Sequence, residues 1–505
     1  MLVLGLVNAS WWRWRSRNLL LHHCRRLASE GILEWKRQPI SAWVDLARHF
    51  RDHWREPLRM RFWRTRPLAS AVMGCLCVGI VGVGLLQIPL QRTIQAEIDS
   101  LRLLGVPLTS EALDLWNPPA PDSSNAIPVL RVALDHLNVA PGVRVEPVVL
   151  PQRNRALTSR QRALYESLLQ TNAAAMAALQ TCLERPQVWF DPASQFALSP
   201  GRFRGSLPLR LSGLLLSQVA LDTEDGRVEN ACQGILQALQ LAKIVGHQPR
   251  CLGQNVRHAS IHQAIDGIER LLSRAETSAH QMDQLSLALK ETLQRSELSR
   301  ALIGEQWLVL EAWRRGRYTI SGAVAGGGSP QDFPERLRLA VGRYSGLASE
   351  EFLQVLAMTR QGLLASFGTE ELQLRLGTLL RDTNGPAGYF FADAPQVAQN
   401  IGGTLVGHLV CVTRVRAALV GLELERHRQE HGTVSDALVE EVLANPERLD
   451  PFSGKRLRYR QEGNSFSISG VALHGEDISW ITRVTGRELD QAIRFAIDRP
   501  SGRGL

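Results

Sequence analysis

An uncharged, largely apolar run of 25 residues, 67–91, divides this chain of 505 residues into two parts. Arg66 and Arg92 bracket the run. Because an α-helix rises about 1.5 Å per residue, the run reaches about 37 Å and can cross a hydrocarbon core of about 30 Å with some tilt. The sequence therefore predicts a single transmembrane helix over 67–91.

Charge is distributed unevenly around this run. Residues 1–66 contain 14 of the 58 Lys and Arg residues but only five of the 49 Asp and Glu residues. The segment 92–505 therefore contains 44 residues of each sign and is neutral. Under the positive-inside rule, 1–66 is expected in the cytoplasm and 92–505 outside it, which places the protein in a bacterial inner membrane. Because the basic excess lies beside a membrane span, we expect no nucleic-acid partner.

A helix with two distinct faces is predicted within the basic segment. Aromatic and arginine side chains recur at helical spacing on opposite sides, which is typical of a helix lying among lipid headgroups. An ordinary helix packed on a partner protein is the alternative. The predicted contacts with the anionic inner leaflet are Trp43, Arg48, Phe50, Arg51, Trp54, Arg55 and Trp63.

Three features near the span leave alternatives open. Gly74-Cys75 is a possible lipoprotein cleavage site, and Met60 is a possible start of translation. A cleaved signal peptide is a further alternative, although the run is longer than the usual apolar core of about 7–15 residues.

Four cysteines are expected outside the cytoplasm, where disulfides persist, and they either form disulfides or are small buried residues. These cysteines are Cys182, Cys232, Cys251 and Cys411.

The rest of the chain is predicted to be mainly α-helical, with helix pairs that resemble a repeat layer and a small β-hairpin near the C-terminus. Alternation on both sides of Glu462-Gly463-Asn464 predicts the hairpin. A last helix is expected at 487–498. The predicted segments are a stalk and Pro-rich connector (92–156), a helical-pair domain (157–320), a Gly-rich loop (321–333), a helical domain (334–431) and an α+β module (432–505).

Residues 414–460 carry a resemblance to a known family. A helix over 414–431 and a short helix over 436–444 precede Asp450-Pro451-Phe452-Ser453-Gly454-Lys455, in which Pro and Gly set turns that lead into a strand. This order resembles the closing module of a family of uncharacterised, membrane-anchored bacterial proteins. It is similar, more distantly, to the globular end of type II secretion pseudopilins. The paired helices of 206–274 are similar to the middle of the same family. The resemblance implies a membrane anchor and a helical ectodomain, but no activity or catalytic residues.

One group of side chains has the chemistry of a metal site. His258 and His262 are four residues apart and share a helix face, with Cys251 two turns earlier and His247 before Pro249. Imidazole and thiolate are ligands that zinc accepts. The group therefore predicts a possible zinc site. A set of ordinary boundary histidines is the alternative, because no His-Glu-x-x-His motif is present.

These features favour a membrane-anchored, non-enzymatic interaction or scaffold protein of the cell envelope. The sequence lacks a nucleophile elbow, a phosphate loop and a dinucleotide fingerprint, so we expect no cofactor. The expected partners are the lipid bilayer and a protein bound by the ectodomain. An extracytoplasmic, metal-dependent hydrolase that uses the His/Cys group at 247–262 is the alternative.

Overall fold

A computed structural model describes seven stretches of the chain: 67–138, 153–190, 207–293, 296–314, 347–366, 394–470 and 494–498. Within these residues the protein is mainly helical, with thirteen α-helices and one three-stranded sheet. The predicted fold class is confirmed to this extent. The Gly-rich loop at 321–333 and the juxtamembrane residues between Trp43 and Trp63 lie outside the described stretches.

The helices are named in chain order. They are α1 Pro67–Leu103, α2 Ser110–Trp116, α3 Ala126–Asp135, α4 Ser159–Thr171, α5 Ala173–Leu183, α6 Leu207–Glu224, α7 Val228–Gly246, α8 Cys251–Arg274, α9 Ala279–Thr292, α10 Ser296–Arg314, α11 Leu347–Ser366, α12 Ala394–His431 and α13 Asp436–Leu443. The chain separates into two compact units, Met1–Leu85 and Leu86–Leu505, and the boundary falls within α1.

Helix α1 continues well past the end of the predicted span. It is helical to Leu103, although Pro89 lies inside it. Ile94 and Leu101 are buried in an apolar cluster with residues of α10, α11 and α12, and Leu90 and Ile98 pack at its edge. These four residues are spaced so that they share one face of the helix. The residues that were expected to form a stalk thus belong to the core of the unit Leu86–Leu505.

The main core is built from the packed helices α6, α7 and α8. The stripe of apolar residues on α7 is buried as its helical spacing predicts, with Ile235 and Leu239 at its centre. A Cβ atom at Gly234 would lie 2.6 Å from Val219 Cγ2, so glycine is what allows α6 and α7 to approach so closely. The two helices are joined by a short turn in which Gly226 has a φ of 72°.

Helix α12 is the long central element of the unit Leu86–Leu505. Among the helices searched within the described residues, Asn400–His431 is long and apolar enough to cross a membrane, but 83% of its most apolar window is buried. It packs against α8, α9, α11 and the sheet. Its burial is that of a core helix.

The sheet has the order β1 Arg458–Glu462, β2 Ser465–Ser469, β3 Arg494–Ile497, and both pairs are antiparallel. The first pair is the predicted hairpin, with Gly463 at a φ of 61° in its turn. The prediction of a helix over 487–498 is wrong at 494–497, which form β3. Phe495 packs against Gly421 of α12, where an added Cβ would lie 2.2 Å from the ring. This segment forms a strand and not a helix because it pairs with β2 and is buried against the helices.

The Asp450 motif forms the turn that leads into β1. The buried Asp450 carboxylate accepts hydrogen bonds from the Ser453 hydroxyl at 2.7 Å and the Phe452 backbone N–H at 3.2 Å. Thr413 of α12 donates to the same carboxylate at 3.3 Å. Gly454 has a φ of 65°, which glycine adopts without steric cost. The motif therefore has a structural role, because its hydrogen bonds connect the turn to α12.

Candidate functional site

The two faces of α8 differ in chemistry. Apolar residues such as Ile261, Ile265 and Ile268 face the core of α6 and α7. The opposite face carries polar side chains at intervals of three or four residues, and this face packs against α12. We name the buried contact the polar seam. It consists of Cys251, Asn255, His258, His262, Asp266 and Glu269 of α8 with Thr404, His408 and Arg414 of α12.

Two buried imidazoles meet near the middle of the polar seam. The ring centroids of His258 and His408 are 5.6 Å apart, and the rings are tilted by 49°. Gly407 lies beneath His258, because a Cβ there would be 3.3 Å from its Nδ1 atom. Neither ring nitrogen of His258 has a hydrogen-bond partner within the described part of the chain. Burial, and then the nearby His408, Arg257 and His262, hold the pKa of His258 well below its usual range near 6.5. His258 is therefore neutral in the folded protein.

A buried guanidinium forms the other centre of the polar seam. Arg414 Nη2 lies 2.5 Å from Asp266 Oδ1 and 3.5 Å from Glu269 Oε2, and Arg414 Nη1 donates to the His262 carbonyl at 3.0 Å. Burial opposes the charge of Arg414, but the two carboxylates outweigh it and raise its pKa. The guanidinium thus stays charged and joins α8 to α12.

The same network covers the outer edge of β3. Backbone groups on one edge of a strand remain unpaired unless another element covers them. Burial raises the pKa of Glu269, and the charges of Arg414 and Arg153 oppose that rise. Four hydrogen bonds occupy the edge: Arg414 Nε to the Arg494 carbonyl (3.3 Å), the Ala496 N–H to Glu269 Oε1 (2.8 Å), Arg153 Nη1 to the Ala496 carbonyl (3.0 Å) and the Asp498 N–H to Ser273 Oγ (3.1 Å).

The four residues of the predicted zinc site contact different partners. His247 lies at the end of α7, with Nδ1 2.9 Å from the Lys243 carbonyl and Nε2 3.6 Å from Glu297. Cys251 is buried at the start of α8, where its backbone N–H donates to Glu305 at 3.0 Å. His258 faces His408, and His262 contacts Arg414. No group of three or more His, Cys, Asp or Glu residues in the described stretches is placed to hold a metal ion.

Another helix covers two histidines of the predicted zinc site. His258 and His262 do share a face of α8, but α12 covers that face, and its Arg414 guanidinium approaches His262. His247 belongs to the preceding helix and turns toward α10. The predicted zinc site is therefore not assembled in this structure.

Cys182, Cys232, Cys251 and Cys411 are all buried and free in the structure. Burial raises the pKa of Cys182 to about 12 and that of Cys232 and Cys411 to about 11. Burial likewise raises the pKa of Cys251 well above its usual range. Thiols with such pKa values are poor nucleophiles near neutral pH, so these side chains serve as packing residues.

A second polar feature is a pocket of about 130 Å³ between α7 and α9. Its polar lining includes Lys243 and His247 of α7, Glu291 and Thr292 of α9, Arg257 of α8 and Glu297 of α10. Three basic and two acidic side chains thus converge on a small space. We name it the α7–α9 pocket.

Comparison with known proteins adds no functional assignment to these sites. No family model, curated protein or solved structure matches the chain. The family resemblance of 414–460 therefore remains a prediction. The function has to be argued from the residues themselves.

The importance of Arg414 can be measured by comparing two arginines. We expect Arg414→Leu to lower the free energy of unfolding by up to about 3–5 kcal/mol, because it removes the cation beside Asp266 and leaves the buried Glu269 with Arg153 alone. Arg426→Leu is the matched control, since Arg426 pairs with Asp283 at 3.1 Å on the exposed surface, and it should cost less than about 1 kcal/mol. Urea denaturation of the purified protein in detergent gives both values. Equal costs would contradict the structural role of Arg414.

His258 should make stability depend on pH. An unfolded histidine binds a proton near pH 6.5, whereas folded His258 resists it, so its contribution is complete above pH 6.5 and is lost as the pH falls below that value. The slope is at most about 1.4 kcal/mol per pH unit for one proton. His258→Gln should flatten the unfolding free energy between pH 7.5 and pH 5 by about this slope. Exposed His431→Gln should keep the wild-type profile, and an unchanged profile in His258→Gln would refute the assignment.

Proposed function

We propose that this protein is a single-pass membrane protein whose helical body binds another protein of the cell envelope. The observation that carries the anchor is the apolar surface of α1. Val78 is 73% exposed, and Cys75, Cys77 and Ile88 are exposed as well, in a run that holds no charge from 67 to 91. Such a surface is unfavourable in water and suits a hydrocarbon environment.

The charge pattern supports an orientation for this anchor. The net charge of +9 in 1–66 favours the cytoplasmic side, where anionic lipids attract basic segments. In this arrangement the aromatic and arginine residues between Trp43 and Trp63 contact the inner leaflet. The neutral segment 92–505 faces outward.

Exposed leucines support a role in binding. Leu103, the last residue of α1, is 89% exposed, and Leu115 of α2 is 85% exposed. These side chains lie in consecutive elements, and large apolar residues exposed in this way are common in protein interfaces. The alternative, a metal-dependent hydrolase, has weaker support because His247, Cys251, His258 and His262 turn to different partners.

Cysteine labelling tests the orientation. With a membrane-impermeant maleimide on spheroplasts, native Cys24 should react only after lysis. In a Cys24→Ser background, Ser123→Cys places a thiol at an exposed position of the body, and it should react before lysis. The buried cysteines should stay silent in both samples, because they are shielded in the folded body. Labelling of Cys24 in intact spheroplasts would overturn the orientation.

Photo-crosslinking tests the binding surface. A benzophenone amino acid at Leu103 or Leu115 should give the same crosslinked partner in living cells, because both positions would lie in one interface. The control position is Glu440, whose side chain is exposed and pairs with Arg456 at 2.9 Å. Absence of a crosslink at both leucines, in protein that is still membrane-inserted, would contradict this surface.

A further inference from the structure

The α7–α9 pocket is lined by both apolar and charged side chains. We name its apolar lining residues, Leu236, Leu239 and Ala288, the apolar wall. The pocket volume of about 130 Å³ limits the occupant to a small molecule, because a cavity of about 150 Å³ holds a molecule the size of benzene. The charged lining residues determine which small molecule fits.

At the rim of the pocket, charges are already matched. Lys243 Nζ and Glu291 Oε2 are 3.3 Å apart, and both side chains are exposed. Further in, His247 occupies one oxygen of Glu297, since its Nε2 atom lies 3.6 Å from Oε1. The Lys243–Glu291 pair needs no ligand to balance it.

At the floor of the pocket, the Arg257 guanidinium has no direct carboxylate partner. Arg257 is 3% exposed, and its guanidinium donates to Gln254 Oε1 at 3.2 Å and to the Thr292 carbonyl. Both acceptors are neutral, and the described residues place no carboxylate within ion-pair distance of Arg257. A buried cation is stabilised by an anion brought close to it, so this floor suits a carboxylate.

Beside that floor, a carboxylate oxygen lacks a donor. Glu297 is 8% exposed, and its Oε2 atom has no hydrogen-bond partner within the described stretches. A buried carboxylate oxygen without a donor is unfavourable and is satisfied by a cationic N–H group. Glu297 lines the same pocket as Arg257. Burial lowers the pKa of Arg257 and the charge of Glu297 opposes that shift, so the two groups attract each other without a direct ion pair. The pocket therefore presents a carboxylate oxygen that lacks a donor and a guanidinium that lacks a direct carboxylate partner.

We propose that the α7–α9 pocket binds a small zwitterion that carries both an ammonium and a carboxylate group, as a short amino acid does. The ligand carboxylate meets the Arg257 guanidinium, and the ligand ammonium donates to Glu297 Oε2. A short alkyl side chain lies against Leu236, Leu239 and Ala288. A ligand with only one of these charges leaves either the Arg257 guanidinium or Glu297 Oε2 without a direct partner.

Three probes that differ by one charged group separate the possibilities. L-Valine carries both groups, isovalerate lacks the ammonium, and isobutylamine lacks the carboxylate. Isothermal titration of the full-length protein in detergent should show valine binding at least about tenfold tighter than either fragment, the effect of one hydrogen bond to a charged group. Equal binding of valine and isovalerate would show a simple anion site and overturn the proposal. Absence of valine binding at millimolar concentration would overturn it as well.

Substitutions then assign the contacts. Glu297→Gln should weaken valine at least about tenfold without weakening isovalerate, because it removes the partner of the ammonium group and keeps the Arg257 guanidinium. Glu440→Gln makes the same chemical change on an exposed helix outside the pocket and should bind valine as the wild type does. Ala288→Leu fills the apolar wall without removing a charge and should abolish binding while circular dichroism remains native. Wild-type affinity in either Glu297→Gln or Ala288→Leu would refute the assignment.

Discussion

The charge of Arg414 and the two carboxylates that surround it hold together three parts of the structure. Its guanidinium is buried against Asp266 and Glu269 of α8, and its Nε atom reaches the backbone of β3. An isolated buried charge is strongly unfavourable, whereas a charge with matched partners and satisfied hydrogen bonds is tolerated. The packing of α12 on α8 therefore depends on Arg414 lying beside Asp266 and Glu269. A shift of α12 by one turn would separate the buried guanidinium from both carboxylates.

The network also shows how a short strand can form far from its neighbours in sequence. Strand β3 is only four residues long, and β2 pairs with one of its edges. Side chains of Glu269, Ser273, Arg153 and Arg414 satisfy the other edge. Because that edge is occupied, it cannot pair with a strand from another molecule. The chain thus uses polar side chains of helices where many sheets use another strand.

Several features were predictable because they depend on neighbours in sequence. The stripe on α7, the turn at Gly226 and the hairpin at Gly463 follow from local spacing and from glycine at positive φ. The metal-site prediction covers only half of the polar face of α8. It includes His258 and His262, whereas the polar stripe continues at the same spacing through Asp266 and Glu269. Arg414 and Arg416 within the apolar part of α12 are the other visible sign, because a charge in such a helix requires a partner.

The sequence by itself determined the uncharged run at 67–91, the basic segment before it, and the helical and hairpin character of much of the body. These are properties of composition and short-range periodicity, which depend only on neighbours along the chain. Only the tertiary structure decided that α12 is a core helix, that 494–497 is a strand, and that the histidines of α8 face α12 and its arginine. Those outcomes depend on which helix faces pack together. The sequence of one helix shows its own polar and apolar faces, but it does not show which element packs on each face. The meeting of Arg257 and Glu297 belongs to the same class, because they line one pocket only when four helices pack.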